Sequence, residues 1–258
     1  MNTKEICDVL LKLDLVTEEK LQTVYPDIYK PKVEIGYKKI RMFDSDIYIY
    51  ETNSNEYVDI TLGEEDRLEL LQNIDEPNKI ENCKINCGFF NFDGSEEHLG
   101  LFMKDGKVYN DVDNTYINYL YYKNGTTKIK YITNPEELFY LQYDLKWGIG
   151  VGWSLINNGE IDLTNSEIWS HSKQKHPRTM LGQLFNGNFV LVVADGRSSI
   201  SKGLTATEQA QVMKTLCCKT AVSLDGGGSS KMVVNNKVVN NCSEPYRKIG
   251  SSVIVCKK

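Results

Sequence analysis

Two short apolar stretches in the C-terminal third of the chain each run into an Asp-Gly pair. FVLVVA (189–194) ends at Asp195-Gly196-Arg197, and TAVSL (220–224) ends at Asp225-Gly226-Gly227-Gly228-Ser229-Ser230. A carboxylate at a strand end sits at the rim of a core, where a pocket can form and where it can move a proton or attack an electrophile. Gly226, Gly227 and Gly228 carry no side chains, so their N–H groups can come close to a ligand and form an anion-binding nest, with Ser229 and Ser230 adding hydroxyls. Arg178, in His176-Pro177-Arg178-Thr179, joins Arg197 and Arg247 as a candidate for planar, two-pronged phosphate recognition. The set reads as a site for a phosphorylated substrate on which a carboxylate also acts.

The elements that must hold these residues are read from pattern. Hairpin signals recur at Asp105-Gly106, Asn124-Gly125, Asn158-Gly159, Asn186-Gly187 and Asn235-Asn236, each beside alternating or β-branched runs. Repeated hairpins imply antiparallel pairing and argue against a doubly wound parallel sheet, whose strands need helical crossovers. RMFDSDIYIYE (41–51) and EYVDITL (56–62) read as further strands. Asn134-Pro135-Glu136-Glu137 starts one helix, and the capping box Thr205-Ala206-Thr207-Glu208 starts another that runs to about Leu216. An amphipathic helix is expected over residues 3–24. The fold class is α+β: mainly antiparallel β-sheet with flanking helices, an N-terminal helical extension over 1–30 and one catalytic domain over 31–258.

Composition narrows the partners. The chain has 258 residues, enough for a sizeable core, and its net charge of -5 gives no reason to expect nucleic acid or an anionic membrane. No run approaches a membrane span, and charged residues interrupt the first twenty residues, so no secretory leader is read; a cytoplasmic setting or a phage particle is expected. Seven cysteines, an odd number, read as free thiols in a reducing compartment. Cys83-x-x-x-Cys87 and Cys217-Cys218 match no usual zinc spacing, the three histidines do not make a His-rich site, and Asp111, Asp113 and Asn114 read as a solvated turn. No metal and no cofactor are expected.

The ordered set HPRTMLGQLFNGNFVLVVADGRSSISKGLTATEQA, AVSLDGGGSSKMVV and YRKIGSSVIV resembles the phosphodiester glycosidase family, as does the upstream INCGFF followed by GLFMKDGKV. The resemblance spans about residues 80–255. It implies hydrolysis of a sugar-1-phosphodiester with C1–O cleavage, and it adds Asn86 to the pocket residues Arg178, Asp195, Arg197, Asp225 and Arg247. Asp225 and Asp195 are the catalytic candidates; the arginines, Asn86, the glycines and the serines are assigned to substrate and phosphate. Glu208 belongs to the motif, but its place explains it as a helix cap. The chain departs from the family at Cys87, a position often glycine, and at Tyr246, where an acid usually precedes the arginine. Residues 110–175 carry no motif that aligns. A metal-dependent phosphodiesterase cleaving P–O and a non-catalytic glycan-binding or phage-tail module are the alternatives.

Overall fold

The turn-forming dipeptides close the hairpins expected of them. Asp105, Gly106, Asn158, Gly159, Asn235 and Asn236 all take positive φ, between 48° and 80°, and Gly125 and Gly187 do the same at 85° and 89°. The strands on either side of these five turns pair antiparallel. The computed structural model describes residues 36–63, 68–77, 79–91 and 97–258; the helix expected over 3–24 lies outside them. One expectation is corrected. RMFDSDIYIYE is not one strand: the chain reverses at Phe43 (φ 53°) and Asp44 (φ 59°), so that Gly36–Met42 pairs with Ser45–Glu51. Neither turn residue is Asn or Gly, which is why composition hides the turn.

Three antiparallel sheets share one interior. The largest runs in the order Gly36–Met42, Ser45–Glu51, Phe189–Ala194, Arg178–Leu184, Cys218–Ser223, Trp153–Asn157, Glu160–Ile161. A second is built around Ile117–Tyr122 and Leu145–Val151, and a third around Glu81–Asn86 and Ser251–Lys257. Leu191, Val193, Leu181 and Val222 from the first sheet meet Tyr119, Trp147 and Ile149 from the second and Ile85, Val253 and Val255 from the third. The opposite face of the first sheet, with Val190, Val192, Met180 and Ala221, is covered by α2 (Ala206–Thr215) through Ala210 and Met213. Both faces of FVLVVA are therefore buried, which explains an unbroken apolar run where a half-exposed strand would alternate. The capping box of α2 is formed, with Thr205 Oγ1 accepting from Glu208 N–H and Glu208 accepting from Thr205 N–H. A second helix, α1 (Pro135–Leu141), lies earlier in the chain, packs Leu138 against Leu120 and Leu145, and is capped by Asn134. Four of the cysteines, Cys83, Cys87, Cys218 and Cys256, are buried as small apolar groups.

Sheet register sets up the site. Arg178–Leu184 lies between the two strands that end in Asp-Gly and runs antiparallel to both, pairing Arg178 with Ala194 and Met180 with Ser223. The start of one strand thus meets the ends of its neighbours, and Arg178, Asp195 and Asp225 gather at one end of the sheet. Asn86, the last residue of Glu81–Asn86, reaches the same end from the third sheet.

Candidate active site

A cavity of about 440 Å³ opens where these strands end. Asp225, Gly226, Gly227, Gly228 and Ser229 line one side, Arg178, Arg197, Arg247 and Glu244 a second, and Phe89, Trp153, Trp169, His171 and His176 the rest. Asp225 is half-buried, and burial pushes its carboxyl up to about 6, an effect offset in part by the Ser229 hydroxyl, the Gly226 N–H and the charge of Arg247. A carboxylate so placed is still ionised at neutral pH and poorly solvated, the condition of a useful base or nucleophile. Its backbone is fixed from two sides: Asp225 N–H donates to the Cys87 carbonyl at 3.1 Å, and Asn86 Nδ2 donates to the Asp225 carbonyl at 2.7 Å.

The three arginines differ. Arg178 is 2% exposed and spends Nε and Nη2 on the carbonyls of Leu204, His171 and Gln174 at 2.8–2.9 Å. Its guanidinium also lies 5.2 Å from the centre of the Trp153 ring. Burial, with Arg197 nearby, pushes its pKa down to about 10, so it remains a cation. Arg197 Nη1 lies 3.4 Å from Glu244 Oε1, while Arg247 Nε donates to Glu244 Oε2 at 3.0 Å and its Nη2 also contacts that oxygen. Arg197 Nε further donates to His176 Nδ1 at 3.3 Å, which requires that nitrogen to be unprotonated. Burial and the neighbouring arginines hold the His176 pKa below its ordinary value, and burial with Arg178 does the same for His171.

The residues named from sequence fall into two groups. Arg178, Arg197, Arg247, Asp225, Gly226, Gly227, Gly228 and Ser229 line the cavity. Asp195, Asn86 and Ser230 do not. Asp195 is 2% exposed, and its carboxylate accepts from Tyr48 O–H, Asn240 Nδ2 and Asn241 N–H at 3.0–3.1 Å. It braces the strap that continues to Arg247. Asn86 also works from behind: its Oδ1 accepts from Thr179 Oγ1 and Lys231 N–H. The Ser230 hydroxyl is buried with no partner. The expected anion nest is narrower than its three glycines and two serines suggest. Gly227 N–H donates to the Pro177 carbonyl, and Ser229 and Ser230 N–H close the loop's own turn on the carbonyls of Gly226 and Gly227. Glycine is required at 227 for another reason: φ is +61°, and a Cβ there would lie 3.0 Å from Arg197 Nη2.

Glu244 is a cavity residue that sequence reasoning missed. The family pattern implies an acid directly before Arg247; in this chain an acid lies three residues before it, on the other side of Pro245 and the 86% exposed Tyr246. The aromatic wall was missed as well. Phe89 stacks on Trp169 with ring centres 5.8 Å apart and planes at 13°, and Trp169 Nε1 is anchored to the Gly152 carbonyl at 2.9 Å. Phe89, Trp153 and Trp169 come from distant parts of the chain, so no spacing announces them. Among the described residues no three His, Cys, Asp or Glu side chains are grouped so as to hold a metal ion, and no helix is long and apolar enough to cross a membrane.

The sequence model of the phosphodiester glycosidase family matches residues 81–256. A prophage-derived uncharacterised protein of Bacillus subtilis is 30% identical over 152 residues, covering 57% of this chain and 24% of that protein. The mouse N-acetylglucosamine-1-phosphodiester alpha-N-acetylglucosaminidase is 29% identical over 179 residues, covering 63% of this chain and 34% of that protein. The chain thus spans about a quarter to a third of the length of these curated relatives. In fold it resembles the catalytic domain of the zebrafish N-acetylglucosamine-1-phosphodiester alpha-N-acetylglucosaminidase, with a TM-score of 0.70 and 18% identity over 86% of this chain and 82% of that one. A hypothetical protein from Synechocystis gives a TM-score of 0.71 at 13% identity, over 86% of this chain and 61% of that one. With its motifs in order and the family matched over more than half its length, the chain belongs to the phosphodiester glycosidase family.

Proposed function

We propose that the chain hydrolyses a sugar-1-phosphodiester and breaks the bond between the sugar C1 and its bridging oxygen. The observation that carries this reading is the convergence of Asp225 with Arg178, Arg197 and Arg247 on one cavity that also has an aromatic wall. The arginines hold the phosphate. The bridging oxygen leaves as part of a phosphate monoester, already a weak base, so cationic stabilisation replaces much of the work of a general acid. As that bond lengthens, positive charge builds on the sugar ring as an oxocarbenium-like state. Asp225 stands as the carboxylate that meets it, either by bonding to C1 or by taking a proton from the attacking water. In both cases the water oxygen ends on C1. Phe89 and Trp169 offer flat apolar surface to the sugar face.

Hydrolysis in heavy-oxygen water tests the bond assignment: the label is expected on the C1 hydroxyl and none on phosphate. Label on phosphate would mean P–O cleavage and would overturn the glycosidase reading. The phosphate assignment has its own test in Arg197→Lys. Lysine keeps the charge but cannot donate to His176 and Glu244 together with the substrate, so KM is expected to rise by about tenfold and kcat to fall with it. An unchanged KM would remove Arg197 from the phosphate site.

A further inference from the structure

The fixed charges of the cavity nearly cancel. Three guanidinium groups share the cavity with the carboxylates of Asp225 and Glu244, which leaves one positive charge when both acids are ionised. Without Glu244 the balance would be two positive charges. We propose that Glu244 determines specificity, favouring singly charged phosphodiesters and excluding doubly charged phosphomonoesters. The inference rests on the reading of the cavity as a phosphate site.

The geometry places Glu244 in the lining, with its side chain 41% exposed. The strap that carries it is pinned before and after it. Asn240 donates through Nδ2 to Asp195 and to the Ser230 carbonyl and accepts from Met232 N–H, and Asn241 N–H donates to Asp195. Beyond Glu244, the Pro245 carbonyl accepts at 2.7 Å from Nζ of Lys231, itself only 3% exposed. The Glu244 carboxylate lies against Gly228, where any Cβ would collide with it. It faces Arg197 on one side and Arg247 on the other. Two of the three arginines therefore already face an internal anion. Arg178 is different, because its partners are three neutral carbonyls. A diester carries one negative charge and can be matched. A monoester carries a second charge above its pKa near 6 and must place it beside Glu244. Specificity of this kind comes from repulsion of the wrong ligand as much as attraction of the right one. The monoester is also the product of the proposed reaction, so the same repulsion hastens its release.

The test compares dimethyl phosphate with methyl phosphate as ligands at pH 8, by direct titration of the full chain and of Glu244→Gln. The wild type is expected to prefer dimethyl phosphate. Glu244→Gln is expected to bind methyl phosphate about tenfold more tightly while dimethyl phosphate changes by less than about threefold, reversing or abolishing the preference. Arg247→Gln, which frees the Glu244 carboxylate from its nearest partner, should shift the ratio the opposite way. A ratio unchanged in Glu244→Gln, or an equal loss for both ligands, overturns the inference and leaves Glu244 as a support for the arginines. If the wild type binds neither ligand, the phosphate site falls and the inference with it.

Discussion

Asp225→Asn is expected to lower kcat by about 10² or more, while the protein folds normally and holds its substrate with little change in affinity. The exchange keeps the shape of the side chain and an acceptor for Ser229 and Gly226, and removes only the charge that the reaction uses. In the wild type the same carboxyl sits near pKa 6 because of burial, so turnover should fall as pH drops through about 6 and Asp225 takes up a proton. Stability should move the other way. Below about pH 4 the carboxyl is protonated in folded and unfolded chains alike, and Asp225 costs nothing. Between about pH 4 and 6 the unfolded chain gives up its proton first, and the folded state loses stability as pH rises, up to a limit reached near pH 7. Asparagine carries no such penalty. Allowing for solvent in the cavity, Asp225→Asn should gain about 1–2 kcal/mol, or roughly 2–8 °C in Tm, at pH 7.5 and nothing near pH 4. Steady-state kinetics and thermal melts at the two pH values check both halves. A folded and fully active Asp225→Asn would reduce the glycine-rich loop to a structural turn and remove the centre of the proposed site.

What was legible in the sequence is what neighbouring residues decide. Asn-Gly and Asp-Gly turns fix the backbone by their own φ preferences, and the Thr205 capping box closes on itself within three residues, so hairpins and α2 could be placed without knowing the fold. The Phe43–Asp44 turn was not legible, because its positive φ values are imposed by the pairing of the strands beside it. The site follows the same division. Arg178, Arg197 and Asp225 stand in local motifs and line the cavity. Glu244 does so through contacts with Arg197, 47 positions away, and the aromatic wall joins Phe89 to Trp169 across eighty residues of sequence. The nest is narrowed for a related reason: Gly227 N–H goes to the Pro177 carbonyl, and the Ser229 and Ser230 N–H groups close the loop's own turn.

The two Asp-Gly strand ends show most clearly what spacing could not decide. Both leave a buried strand of the same sheet, and in sequence they are equivalent. Register sends Asp225 to the cavity and turns Asp195 toward Tyr48 and the strap at Asn240–Asn241. We therefore propose Asp195 as a positioning residue, which holds the segment that bears Glu244 and Arg247. Asp195→Ala leaves the Tyr48 hydroxyl, Asn240 Nδ2 and Asn241 N–H without that acceptor. Each unpaired buried donor costs roughly 1–3 kcal/mol, and relief of a buried charge returns part of the total, so a net loss of about 3 kcal/mol is expected. For a chain of this length that corresponds to a Tm lower by roughly 6–12 °C. At a temperature well below the melt, KM should rise, because the strap carrying Arg247 loosens, and kcat should fall far less than in Asp225→Asn. Asp195→Asn, which retains one acceptor, should lie between wild type and Asp195→Ala in both measurements. A catalytic Asp195 predicts the reverse pattern: an unchanged melt with turnover lost. Thermal melts and the split between kcat and KM on these two variants distinguish the roles, and an Asp195→Ala protein that melts like the wild type but does not turn over would return Asp195 to the reaction itself.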